Sequence, residues 1–148
     1  MRHIYPEANI PVIELSIDYS QPLSFHFDLA KRLASLRHQG VLIIGSGNIV
    51  HNLRYVDFKY INHLDHGYDW AFSIREKVNE RILEGNFQDL INVQQLGKDF
   101  TMAVPSYDHY LPLIYSLALK DEQDEIELFN DYVIGGSLSM TSVKISAS

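Results

Sequence analysis

Val41-Leu42-Ile43-Ile44-Gly45-Ser46-Gly47-Asn48-Ile49-Val50-His51 is the stretch whose reading decides the fold. A β-branched, apolar run stops at a glycine loop, and a histidine stands just beyond it. Upstream, Pro11-Val12-Ile13-Glu14-Leu15-Ser16-Ile17 has the same character and reads as a second strand. Between them Ser20 is placed to cap a helix, Pro22 falls in its first turn, and Phe25, Leu29, Leu33 and Leu36 recur on one helical face. Gly40 closes that helix. A strand–helix–strand unit with tight connections implies a parallel pair with a right-handed crossover. In open α/β sheets, ligands collect outside the carboxyl ends of the strands. His51 is therefore delivered to a place where a polar ring does chemistry.

Downstream, a polar, aromatic loop runs from Tyr55 to Tyr68. Trp70, Ile74, Val78 and Ile82 then mark a helix over Asp69–Glu84 that Gly85 stops. A shorter helix is expected from Phe87 to Leu96, and another from Asp108 to Lys120 with Asp108 as its cap. Phe129–Ile134 and Leu138–Ile145, separated by Gly135-Gly136-Ser137, read as a closing antiparallel hairpin. The expected class is α/β: a mostly parallel sheet flanked by helices, with a C-terminal antiparallel hairpin.

The chain has 148 residues, enough for one domain with a sizeable core. Its 12 basic against 19 acidic residues, a net charge of −7, argue against a nucleic-acid partner, which needs clustered Lys and Arg. No apolar stretch approaches the ~20 residues of a membrane helix, and the first residues lack a secretory signal. A cytoplasmic protein with no membrane association is expected. Without cysteine, any metal must be held by nitrogen and oxygen, which suits iron, manganese or a His/carboxylate zinc site. The acidic run Asp121–Glu127 lacks the glycine and alternating ligands of a calcium loop and reads as a solvated loop or helix end.

Gly45-Ser46-Gly47 invites a dinucleotide reading, but Val50 stands where a third small residue belongs, and no acidic residue closes a following strand. Ser46 is not a nucleophile elbow, since Ile44 occupies the position of the first glycine. The glycines are better explained sterically, by a sharp turn of the backbone or its close passage to a ligand. An anion- or nucleotide-binding domain is the weakest of three functional readings.

His51 is the leading catalytic candidate, against the alternative of a satisfied core or surface histidine. His109, at a helix start, is its natural companion, because a helix N-terminus disfavours imidazolium and keeps the ring neutral. Asp108 either orients His109 or only caps the helix, with capping favoured. His63 and His66 flank Asp65 in what reads as a solvated loop, although a metal pair there stays open. His3, His26 and His38 carry no supporting context, except that His3 can approach the site from the strand side. Nine Tyr and seven Phe would suit a planar phenolic substrate, but aromatics usually serve the core.

Three segments resemble the class III extradiol ring-cleavage dioxygenases, in particular their DOPA-4,5-dioxygenase-like branch: Ile10–Asp18, Gly45–Arg54 and Pro105–Leu113. Gly135–Ser142 is similar to the closing strand of that family. The resemblance covers essentially the whole chain and implies a non-haem Fe(2+) centre, or Zn(2+) in some members, that binds a catechol and O2 before ring opening. His51 matches the acid/base or supplementary metal ligand, and His109 a metal-ligand position. Asn52 and Tyr107 lie beside them as substrate-binding candidates, with Arg54 in a supporting role.

Family members are nearly twice this length. Their first half carries His-Gly-x-Pro, Ser-Ala-His-like and Asp-His-Gly segments that supply further metal ligands, and none occurs here. The resemblance thus implies one domain over residues 1–148, the C-terminal portion of an extradiol dioxygenase catalytic domain and incomplete alone. The expected partners are a catechol-type small molecule and O2, and either an N-terminal half or further copies in a homo-oligomer. A truncated product, one piece of a split enzyme, and a catalytically inactive relic or binding module all remain open.

Overall fold

The computed structural model describes residues 3–147. Among these residues, five α-helices precede four short strands: α1 (Leu23–Lys31), α2 (Asp69–Leu83), α3 (Phe87–Ile91), α4 (Phe100–Ala103), α5 (Leu111–Ala118), β1 (Asp124–Phe129), β2 (Val133–Ile134), β3 (Leu138–Ser139) and β4 (Ser142–Ala147). The core lies where α1 packs on α5 and where α2 meets α3 and α4.

The α2 helix follows its sequence pattern closely. Ile74, Val78 and Ile82 are fully buried and Trp70 partly so, each aliphatic side chain contributing about 1.5–3 kcal/mol. Gly85, at φ +71°, accepts the left-handed conformation that ends the helix. In α1 the buried face is instead Leu23, His26, Phe27 and Ala30, while Phe25 is exposed. The helix also ends early, and Ala34–Gln39 continues as a 3₁₀ turn. Pro22 occupies the cap position, and the Ser20 hydroxyl bonds to Asp18 rather than to the helix. The expected helix over Phe87–Leu96 breaks at Asn92 into α3 and a 3₁₀ turn, and α4 was not legible from periodicity.

The largest departure concerns the sheet. Pro11–Ile17 and Val41–Ile44 form no ladder, and every ladder among the described residues is antiparallel. The one parallel pairing among the described residues is an isolated bridge between Gly67 and Gly136. The physical reason is that strand composition supplies only one side of a hydrogen-bonded pair, and neither run meets a partner. The C-terminal hairpin does form and is larger than expected. β2 and β3 turn tightly through Gly135-Gly136, while β1 pairs with β4 in register, placing Ile126 opposite Ile145 and Leu128 opposite Val143. The acidic run therefore becomes a strand from Asp124 onward. Asp124 is buried and pairs with Arg37 at 2.6 Å, and that guanidinium holds the Asp124 carboxyl below its ordinary range.

Candidate active site

Residues 48–52 are clamped from three sides. On the first, the Asn48 N–H donates to the His109 carbonyl at 3.0 Å and the His51 N–H to the Ala103 carbonyl at 2.9 Å. On the second, the Ser139 hydroxyl accepts from the Val50 N–H, the Ser139 N–H donates to the Val50 carbonyl, and the Asn52 N–H donates to the Ser137 carbonyl. On the third, the Asn48 amide reaches the Ser139 carbonyl and the Asn52 amide the Met102 carbonyl, both at 2.7 Å. Val50, Asn52, Ser137 and Ser139 are buried. Buried backbone groups must be paired, so the serines of the β2–β3 turn and strand fix where the His51 backbone lies.

The glycines act by making room. A methyl on Gly45 would strike the Pro112 carbonyl and the Ser116 hydroxyl of α5, and one on Gly47 would strike the His109 carbonyl. The close approach is thus to the protein's own backbone rather than to a ligand. The space beside the glycines is filled, which disfavours a phosphate-cradling role.

The outcome is that His51 and His109 meet. Their rings stack face to face with centroids 3.6 Å apart and an interplanar angle of 23°. Both are half-buried. Burial, followed by the adjacent His109, lowers the His51 pKa below the usual histidine value, with Asp108 opposing the shift. Two imidazolium rings at this separation would repel, so the pair favours at least one neutral ring. The Asp108 carboxylate lies 3.5 Å from His109 Nε2. It accepts a hydrogen bond from the Ser106 hydroxyl, which is the main reason its pKa is lowered.

Asp108 does not cap α5. The helix begins only at Leu111, Tyr110 is its cap residue, and no side chain caps it. The carboxylate is left facing the imidazole, the reading the sequence favoured less. Asn52 spends its amide on Met102 and accepts from the Arg54 N–H, so its observed contacts hold the chain together. Tyr107 is exposed and lies near Phe100, lining with Lys98, Thr101 and Val104 an open cleft of about 560 Å³. Neither histidine lines that cleft. Four other histidines have neighbours of their own. His66 stacks on Tyr60, with His63 edge-on to the same ring. His38 faces Asp121, and His26 is buried against the Tyr115 hydroxyl. The sequence reading missed Ser137, Ser139 and Asn48, whose roles depend on contacts between distant segments, and Ser106, whose role is its local bond to Asp108.

No protein-family model matches the chain. Three curated relatives named 4,5-DOPA dioxygenase extradiol are similar to it. The Escherichia coli K12 protein is 40% identical over 145 residues, covering 96% of this chain and 52% of the relative. The Mirabilis jalapa protein is 32% identical, covering 86% and 46%, and that of Portulaca grandiflora 31%, covering 96% and 51%. The crystal structure of an uncharacterized protein from Escherichia coli K12 superimposes with a TM-score of 0.84 at 38% identity, covering 96% of this chain and 58% of that one. This is an extradiol dioxygenase-family chain. It spans about half the length of the curated relatives it matches. No helix of the described residues is long and apolar enough to cross a membrane.

A metal centre of the expected kind needs about three protein ligands around open positions. Among the described residues no group of three or more His, Asp or Glu side chains is placed to hold a metal ion. Stacked imidazoles also direct their in-plane lone pairs alongside one another rather than to one point. The residues of this chain alone do not fit the Fe(2+) or Zn(2+) site that the family resemblance implies.

Proposed function

We propose that this chain is a single domain forming the C-terminal portion of an extradiol dioxygenase catalytic domain, acting on a catechol-type substrate with O2. Its own contribution is an acid–base imidazole. The observation that carries this reading is the stacking of His51 on His109, with Asp108 behind it. A half-buried histidine with lowered pKa is neutral near pH 7 and can accept a phenolic proton. The Asp108 carboxylate lies beside His109, and the stack shields one face of His51 from water. The metal and most of its ligands come from the part of the family fold that this chain does not span.

The test is oxygen uptake with a catechol and ferrous iron. The chain is assayed alone and with a polypeptide supplying the rest of the Escherichia coli relative. Uptake is expected only for the mixture, and His51→Ala should reduce it by about 10²–10⁴-fold, the usual contribution of a general acid–base group. Full turnover in both His51→Ala and His109→Ala would remove the pair from the mechanism. A second reading, a relic or binding module, is favoured by the absence of a three-ligand group among the described residues. It predicts that the mixture binds iron no more tightly than a surface histidine pair, as measured by calorimetry.

A further inference from the structure

Two runs of strand composition remain unused. In Pro11–Ile17, Ile13 is 93% exposed and Val12 and Leu15 are also open to solvent. In Val41–Ile44, Val41, Leu42 and Ile44 are exposed. Among the described residues, the backbone N–H and C=O groups of residues 10–17 and 42–47 make no backbone hydrogen bond. Each run is anchored on one side: Ile17 packs against the core, and Gly45 and Gly47 lie on α5 and the His109 backbone. Apolar side chains and unsatisfied ladder groups thus face outward together. Such an edge templates pairing with another strand.

We infer that residues 11–17 and 41–47 are the docking edges for β-strands from the remainder of the family fold, and that pairing there assembles the active site. The inference rests on the functional reading above for its partner, but its own support is the pair of open edges. The occupant must offer backbone donors and acceptors as well as apolar side chains, which a lipid or a helix cannot do. A second copy of this chain would satisfy the edges but bring only the same two histidines. The relatives extend for about another half beyond the matched region, and the matching crystal chain is likewise longer. That is enough polypeptide to supply strands, and seven paired residues span about 23 Å. Docking at residues 41–47 also places the partner next to His51, since the clamped segment 48–52 follows directly.

The experiment combines the 148-residue chain with a separately produced polypeptide comprising the part of the Escherichia coli relative that the chain does not match. The expected result is a one-to-one complex by analytical ultracentrifugation. Hydrogen exchange at residues 11–17 and 42–47 should slow by roughly tenfold or more on mixing. Ile13→Lys and Leu42→Lys should each weaken the complex by about tenfold, equivalent to 1.4 kcal/mol. Unchanged circular dichroism and melting of the isolated variants would show that their fold is intact. Absence of a complex, protection confined to other segments, or lysine variants that bind as well as the parent would each overturn the proposal. So would self-association of the chain alone with the same amides protected, because the occupant would then be a second copy. A protected complex without oxygen uptake supports the docking edges while defeating the catalytic reading. Oxygen uptake without protection at these amides does the reverse.

Discussion

Residues 41–47 and 48–52 are neighbours in sequence with opposite fates. The first run is largely apolar and exposed, and from residue 42 onward its backbone groups have no backbone partner among the described residues; the second is gripped by Ser137, Ser139, Ala103 and His109. The same contrast separates Pro11–Ile17 from the β1–β4 hairpin, where Ile126 faces Ile145 across a complete register. Apolar and β-branched residues occur in the paired and unpaired runs alike. The difference teaches that strand propensity is realised only where the opposing strand is at hand.

The contrast can be broken or sharpened by substitution. Gly47→Ala should have the largest effect on stability, because its methyl must displace the His109 carbonyl. Overpacking of this kind costs about 1–3 kcal/mol, read as a lower urea midpoint and a loss of His51–His109 proximity by NMR. An unchanged midpoint would mean that the clamp yields freely.

Ser139→Ala should follow closely. It removes the hydroxyl that accepts from the buried Val50 N–H, and an unsatisfied buried donor costs about 1–3 kcal/mol. Chemical denaturation at fixed pH checks it.

A smaller effect depends on pH. Since the His51 pKa is lowered in the folded chain, the unfolded chain binds its proton first as pH falls through the ordinary histidine value. Stability should therefore decline from about pH 6.5 downward, and the decline stops once the pH passes below the lowered pKa. His51→Gln should flatten that part of the profile, and an identical pH dependence in the variant would exclude His51 as its source. Smallest of all, Ile13→Lys and Leu42→Lys should change the stability of the isolated chain by no more than about 0.5 kcal/mol, as exposed positions do. A large loss of stability would show that these runs are already part of a packed core.

Local chemistry was readable where local chemistry decides. The spacing of Ile74, Val78 and Ile82 gave α2, Gly85 its end, and the double glycine at 135–136 the C-terminal hairpin. His51 and His109 could be paired in advance because each sits in a motif with its own signature. What could not be read was mutual. The supporting serines act across long separations, and Asp124 looks solvated until Arg37 folds onto it. A parallel sheet was expected because the runs 11–17 and 41–44 carry strand composition, yet nothing in composition states whether a partner strand exists. Asp108 had two chemically sound roles, and only the late start of α5 decides between them.

Tyr110, the residue after His109, is fully buried and its hydroxyl donates to the Leu90 carbonyl of α3 at 3.1 Å. The backbone bearing the second imidazole is thereby bolted to a distant helix as well as packed against Gly47. An incoming complement would meet two rings already aligned. Little of the association free energy need then be diverted into freezing their motion, so affinity and catalytic geometry can be tuned separately.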